Sequence, residues 1–438
     1  MGRIDKTVFI SYRNTNQPWA LAIYQHLIHQ GFNVFFDYNI LKSGDFEQVI
    51  TENIRGRTHF VVLLTPSALE RCNEPGDQMR REIELALDEK RNIVPLFFEG
   101  FSFSSPSISK YLTDRLDLLK KHKEITLSAE YFDAAMARLC NDFLNVPFAA
   151  ILHPLSDTVE NAVKMQQAAA RKAKKIQHNE LAAQEWFEQG KHYDDSNDFD
   201  ECINSYTKAI GLKSDYVEAY LRRGVACHEK GDMDGALKDT NEAIRLNPDF
   251  AEAHFIRGRA RYYKSDVEGA IQDYNKAIRL NPEYALAYYN RGIARSDKGD
   301  LAGAIKDYGE AIRFSPDYAL AYYNRGIARG DKGDLAGAIK DYSETIRLSP
   351  EYADAYNNRA ILRSDKGDLA GALEDYNEAI RLNPSDADAY INRGILWEEY
   401  KNNYDAAIAD FQRYIDLGGE RKEVAEWVTD LKKKSNSE

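Results

Sequence analysis

The residues whose types could do chemistry gather in the first third of this 438-residue chain. Glu82 stands in Met79-Arg80-Arg81-Glu82-Ile83, just ahead of the apolar run Asn92-Ile93-Val94-Pro95-Leu96-Phe97-Phe98. Ser11-Tyr12-Arg13 closes the run Val8-Phe9-Ile10, Asp37 closes Val34-Phe35-Phe36, and Thr65-Pro66-Ser67 follows Phe60-Val61-Val62-Leu63-Leu64. These are a carboxylate, a guanidinium and hydroxyls set at the ends of apolar runs. Several other chemistries are excluded. The chain has no G-x-G-x-x-G, no G-x-x-x-x-G-K-[ST] and no G-x-S-x-G, which leaves neither a phosphate cradle nor a nucleophile elbow. A phospho-accepting aspartate would have to follow the third run, where Thr65-Pro66-Ser67 stands. His26 and His29 have helical spacing but no further ligand near them in sequence, so they read as a surface pair and no metal is expected. Cys72, Cys140, Cys202 and Cys227 are scattered, without the close pairs of a metal site or redox bridge.

The apolar runs must be the elements that position these groups. Thr7–Tyr12, Phe32–Phe36, His59–Thr65, Asn92–Phe98 and Glu124–Leu127 are β-branched, aromatic and nearly continuous in apolar character, as strands buried on both faces are. Between them Trp19–Gln30, Phe46–Gly56, Asp77–Lys90 and Ser109–Lys121 carry helical spacing, and Tyr131–Leu144 follows the last strand. That alternation predicts a flavodoxin-like parallel five-stranded sheet between helices. Ligands of such sheets gather at the carboxyl ends of the strands, where Ser11-Tyr12-Arg13, Asp37 and Thr65-Pro66-Ser67 all fall.

These segments, in this order and with Glu82, resemble a Toll/interleukin-1 receptor (TIR) domain of the NAD-cleaving kind, as found in bacterial TIR NADases and in the animal axon-degeneration NADase. The resemblance implies a catalytic role for Glu82. It places Arg13 and Asp37 at the rim of the substrate pocket, with Ser11 and Tyr12 beside them, and Phe46 and Phe103 among its aromatic walls. It also makes Asn39-Ile40-Leu41-Lys42-Ser43-Gly44-Asp45 the core of the loop that gates the pocket and makes TIR–TIR contacts. NAD+ is then a substrate, and no cofactor is implied. One position departs from the family: Gln78 stands where a tryptophan commonly precedes the glutamate by four residues.

One carboxylate suffices for that reaction. The nicotinamide leaves from a cationic pyridinium, so it needs no general acid, and the sugar passes through an oxocarbenium-like state that a carboxylate stabilises. A glutamate that also bonds the ribose hydroxyls gains strength as that charge develops. Water capture gives ADP-ribose, and internal capture gives a cyclic isomer. Two alternatives from other classes stay open: a non-enzymatic adaptor, since Glu82 lies in a charged helical stretch and many TIR domains are scaffolds, and a virulence factor acting on host TIR signalling.

From Ala183 the sequence repeats every 34 residues: Gly190, Gly224, Gly258, Gly292, Gly326, Ala360 and Gly394 mark one register, and Pro248, Pro282, Pro316, Pro350 and Pro384 another. This is the period of tetratricopeptide (TPR) repeats, whose small residues let antiparallel helices approach closely. Gly231, Gly299, Gly333 and Gly367 should end first helices in left-handed geometry, with the following aspartates capping the second. The expected organisation is a TIR domain at 1–150, a helical linker at 151–182, seven repeats forming an all-α solenoid at 183–418, and a capping helix and tail at 419–438. Asn290, Asn324, Asn358 and Asn392 recur at one position on the first helices, where amide side chains in some TPR superhelices hold a peptide backbone. A protein or peptide on the concave face, and self-association through TIR domains, are the expected partners. Bacterial immunity is the role that the TIR–TPR pairing implies.

Composition bounds the rest. Residues 1–150 carry 17 basic and 19 acidic side chains and residues 151–182 carry 5 and 3, which leaves the repeat half with the whole net charge of −12. An acidic repeat surface repels phosphate backbones, so nucleic acid is not an expected ligand. No apolar run reaches the roughly 20 residues of a membrane span. With no apolar signal region, Lys6 where a myristoylation motif wants Ser or Thr, and unpaired cysteines, the expected location is the cytoplasm.

Overall fold

Five short runs of β-branched and aromatic residues pair in parallel: β1 (Thr7–Ser11), β2 (Asn33–Phe36), β3 (His59–Leu63), β4 (Asn92–Phe98) and β5 (Ile125–Leu127), in the order β2-β1-β3-β4-β5. Parallel pairing needs a crossover between neighbours. The helices that supply it are α1 (Gln17–His29), α2 (Phe46–Arg55), α3 (Pro66–Leu69), α4 (Gln78–Asp88) and α5 (Pro106–Ser109), and α6 (Phe132–Arg138) follows the last strand. This computed structural model describes residues 5–36, 46–74, 76–401 and 403–435. The chain divides into two compact units, 1–246 and 247–438.

Aromatic rings fill the sheet's faces. Phe9 lies 5.4 Å from both Phe35 and Phe60, and Trp19 of α1 lies 4.8 Å from Phe98. Two expected helices differ in form. The stretch 109–121 is not one helix: Pro106 starts the short α5, and Asp114, at φ +54, opens a separate 3-10 segment, Asp114–Lys121. After α6 the chain widens into a π turn, Leu139–Phe143.

The stretch 151–182, expected to link two domains, is part of the first unit's core. Its helix α7 (Asp157–Lys172) buries Val159, Val163 and Ala170 with the sheet's own apolar residues. Gln167 Nε2 donates to the carbonyl of Val34, 3.1 Å away on edge strand β2. An uncovered edge of that kind would invite strand addition. The unit continues through α8 (His178–Asp195), α9 (Phe199–Leu212), α10 (Val217–Glu229) and α11 (Met233–Leu246), so its boundary falls inside the repeats.

The second unit is helical throughout its described residues. Its first helices are α12 (Ala251–Tyr263), α14 (Ala285–Asp297), α16 (Ala319–Asp331), α18 (Ala353–Asp365) and α20 (Ala387–Lys401), paired in turn with α13 (Val267–Leu280), α15 (Leu301–Phe314), α17 (Leu335–Leu348), α19 (Leu369–Leu382) and α21 (Tyr404–Asp416). At Gly326 an added Cβ would sit 2.8 Å from the Tyr342 ring, which is why that position must be small. Gly333, at φ +83, ends α16, and Asp334 then accepts from the Gly337 amide at 2.9 Å to start α17. Each helix pair is also pinned by a buried ion pair. Asp341 accepts from Arg325 Nε and Nη2 at 2.9 and 2.7 Å and from Arg329 Nη1 at 2.8 Å, and the same pattern recurs at Asp307 and Asp375. The last helix, α22 (Val424–Ser435), closes the unit by burying Val424, Val428 and Leu431 near Phe411.

Candidate active site

Helix α4 starts where Asp77 accepts from the Arg80 amide at 3.0 Å, a side-chain cap that satisfies one of the helix's orphan N–H groups. Asp77 is itself held from the other side of the fold. Arg13, just past β1, places Nη1 2.8 Å from Asp77 Oδ2 and donates through Nε to the Ala68 carbonyl of α3 at 3.1 Å. Burial alone would raise the Asp77 carboxyl, but the hydrogen bonds from Arg13 and Arg80, with Arg13's charge, outweigh it and leave the group below its ordinary value. Arg13 is raised for the matching reason, since the Asp77 bond and charge outweigh its loss of water. Cys72 lies beside the pair, 3.5 Å from Asp77 Oδ1, and burial with that negative charge pushes its thiol up to about 12.

With its first turn fixed, α4 buries Met79 and Ile83 and turns Glu82 toward the end of β1. Glu82 is only 6% exposed. Its Oε2 accepts from Ser11 Oγ at 2.6 Å and its Oε1 from Gln78 Nε2 at 2.8 Å. Both donors are neutral, so the carboxylate is held without a direct cation at these bonds. Glu82 borders two hollows. One, about 790 Å³ and open to solvent, is lined by Tyr12, Arg13, Asn14, Arg71 and Gln78 among others. The other, about 370 Å³, lies between α2 and α4 beside Ile50, Ile54, Arg81 and Leu85.

The expected residues are thus gathered in part. Ser11 bonds Glu82 directly, and Tyr12 and Arg13 line the same hollow, with the Tyr12 ring 5.8 Å from Phe36. Phe103 does not line either hollow; its ring meets Phe97 edge-on at 4.9 Å, where it covers the core. Asp37 and the loop Asn39, Ile40, Leu41, Lys42, Ser43, Gly44 and Asp45 lie outside the described residues, as does the side chain of Phe46 at the start of α2. Sequence reasoning registered Gln78 only as a departure and missed its bond to Glu82, although an i, i+4 pair on one helix is the available signal. It also missed Arg71, whose guanidinium is mostly exposed and pairs with Glu74 at 3.0 Å. Among the described residues no group of His, Cys, Asp and Glu is arranged to hold a metal ion, and no helix is long and apolar enough to cross a membrane.

In the second unit the asparagine row makes contacts of its own. Asn324 Nδ2 donates to Tyr289 Oη at 2.9 Å and Asn358 Nδ2 to Tyr323 Oη at 3.0 Å, each reaching the preceding repeat, while Asn290 Nδ2 bonds the Leu286 carbonyl in its own helix. Asn392 is half-buried at the equivalent place on α20.

Comparison with known proteins finds two kinds of family along the chain. The TIR domain family matches residues 8–140. Tetratricopeptide repeat families match residues 183–216 and 217–250, and a TPR repeat family matches overlapping stretches from 258 to 399. Over 136 residues, 30% of this chain, the sequence is 29% identical to the NAD(+) hydrolase tir-1 of Caenorhabditis elegans and 32% identical to the NAD(+) hydrolase sarm1 of Drosophila melanogaster. Those stretches are 14% and 10% of the two relatives' lengths. A crystal structure of YrrB, described as a TPR protein with an unusual peptide-binding site, covers 43% of this chain and 96% of its own at 21% identity, with a TM-score of 0.39.

Proposed function

We propose that this chain, which carries a TIR domain followed by a tetratricopeptide array, is an NAD+ nucleosidase in which Glu82 acts on the nicotinamide–ribose bond. The observation that carries the reading is the Glu82 carboxylate, nearly buried at the carboxyl end of β1 and fixed by Ser11 and Gln78 at the edge of a solvent-open hollow that Tyr12, Arg13 and Arg71 also line. The activity for which the relatives are named supports it. A carboxylate fixed in advance stabilises the oxocarbenium-like sugar without reorganising during the reaction. Arg13 and Tyr12 shape the hollow with Asn14, and exposed Arg71 is the side chain placed to meet a diphosphate. Asp37, Phe46 and Phe103 remain in the proposal as substrate-contacting residues of the assembled state, and the loop 39–45 as its assembly contact.

In this reading the TIR domains complete one another's sites when they cluster, and the TPR array senses a protein or peptide partner or drives the clustering. Asn290, Asn324, Asn358 and Asn392 are the peptide-contact candidates, which would exchange their present bonds for a ligand's backbone. The setting we propose is cytoplasmic bacterial immunity through loss of NAD+ or through a cyclic ADP-ribose signal. The test is NAD+ consumption, with products resolved by mass, for wild type and Glu82→Ala at low concentration and clustered on beads. Cleavage by clustered wild type alone, with rate per molecule rising on clustering, is expected. Intact NAD+ with folded, clustered wild type would overturn the enzyme reading in favour of a protein-interaction adaptor. That second reading has one observation of its own, since Gln78 occupies a carboxylate oxygen that substrate would need to share.

A further inference from the structure

The first helix of the repeat array reaches into the α/β domain with a carboxylate that the mechanism above does not use. Glu188, on α8, is fully buried. It accepts from the backbone N–H of Ser67 at 2.9 Å through Oε2 and from the Ser67 hydroxyl through Oε1. Burial raises its carboxyl, only partly countered by the Ser67 bonds and Lys191, so its place there rests on those bonds. What they fix is α3. The Ser67 N–H is one of the first amides of that helix and has no partner within it. The next residue, Ala68, offers the carbonyl that receives Arg13 Nε, Arg13 grips Asp77, and Asp77 caps α4, which carries Glu82. Neighbouring contacts hold α8 to the same turn: Gln184 Nε2 donates to Asn16 Oδ1 at 2.6 Å, Asn16 Nδ2 donates to Thr65 Oγ1 at 2.8 Å, and Lys191 meets Glu70 at 2.5 Å. The steps alternate between hydrogen bonds or ion pairs and the backbone of α3 and α4.

Building on the NAD-cleaving reading, we propose that Glu188 is a positioning residue for Glu82, acting through Ser67, α3, Arg13 and Asp77. The first repeat helix is then a working part of the catalytic domain, and an event on the array reaches Glu82 through movement of α8. A Gln at position 188 keeps the geometry, because its carbonyl can accept the Ser67 amide while its NH2 donates to the hydroxyl. An Ala removes both bonds.

The experiment uses the full chain, clustered, and measures kcat and KM for NAD+ in Glu188→Ala, Glu188→Gln, Ser67→Ala and, as a control on the same helix, Gln189→Ala, whose bond runs to the Glu99 carbonyl. Amide exchange across residues 78–88 is measured in parallel. A catalytic carboxylate displaced by about 1 Å costs roughly 10- to 100-fold in rate. Glu188→Ala should therefore lower kcat by that factor with KM unchanged within about twofold, and should speed exchange in the first turn of α4. Glu188→Gln should restore both, Ser67→Ala should fall between, and Gln189→Ala should match wild type. Wild-type kcat and exchange in folded Glu188→Ala would overturn the proposal, as would a Gln variant no better than Ala. If Glu188→Ala does not fold, Ser67→Ala decides in the same way. If clustered wild type cleaves no NAD+ yet exchange in α4 still responds to Glu188→Ala, the coupling stands and the enzyme reading fails.

Discussion

The Arg13–Asp77 pair gives the sharpest test of how the site is held. Asp77 serves two tasks with two oxygens: Oδ2 faces Arg13 and Oδ1 caps α4 through the Arg80 amide. Asp77→Asn separates them. The amide oxygen can still cap the helix, which Asn does as well as Asp, but its NH2 then faces a guanidinium and the pair is lost. Asp77 is 4% exposed and Arg13 21%, so the arginine recovers some water when released. A charged hydrogen bond at such a site contributes about 1.5–3 kcal/mol, and the partial exposure of Arg13 puts the expected loss for Asp77→Asn at about 1–2 kcal/mol. Asp77→Ala removes the cap as well, which adds about 1 kcal/mol. The carboxyl's depressed native value fixes the pH behaviour. Its contribution is fully present above the unfolded value, about 3.9, and is lost as pH falls through the lower folded value. The gap between wild type and Asp77→Asn should thus be constant from pH 7 to pH 5 and should close below about pH 4. Urea unfolding read by deuterium labelling of residues 78–88 follows this helix apart from the repeats. Equal stability of Asp77→Asn and wild type at pH 7, or a gap that persists unchanged as pH falls through that window, would refute the account.

Other consequences are quicker to check. Ser11→Ala removes the hydroxyl that donates to buried Glu82 Oε2, so the N-terminal domain should lose about 1–3 kcal/mol in urea unfolding and NAD+ turnover should fall; unchanged values of both would show that the bond is idle. Gly326→Ala drives a Cβ to 2.8 Å from the Tyr342 ring and should destabilise the repeats by about 1–3 kcal/mol, while Gly309→Ala in α15, whose Cβ would meet Arg325 Nη1 at an ordinary contact distance of 3.7 Å, should stabilise them by about 0.5–1 kcal/mol; thermal melts that rank the two the other way contradict the packing described. Asp341→Ala strands Arg325 and Arg329 together and should cost about 3 kcal/mol in the same melts. Burial holds the thiols of Cys72 and Cys202 up to about 12 and that of Cys227 to about 11, so iodoacetamide at pH 8 should spare them until the chain unfolds, and labelling at the rate of a free thiol would disprove that burial.

The strands were legible because a sheet buried on both faces writes itself as unbroken apolar runs, and Val8–Ile10 and Val61–Leu63 are such runs. The repeats were legible because a solenoid needs the same small residue at the same place in each unit. Long-range pairings were not. Nothing near Asp77 in sequence announces Arg13, 64 residues away, and nothing near Glu188 announces Ser67, 121 residues away. The segment 151–182 reads as a connector because its polar and basic residues dominate a local window, yet a few apolar side chains on one face of α7 suffice to bind it over β2. The arginine after each asparagine was visible at 34-residue spacing, but its aspartate partner sits 16 residues on, across the helix turn, where no local periodicity points.

The likeness between residues 285–318 and 319–352 has a genetic side. Two such stretches of coding sequence invite unequal exchange, and the protein is built to survive it. The faces that α14–α15 and α16–α17 present to their neighbours are nearly the same, so removing or adding one 34-residue unit recreates a junction the array already contains. Array length is therefore a property that descendants of this chain can change in whole steps, lengthening or shortening the solenoid while the α/β domain and its docked first helix stay untouched.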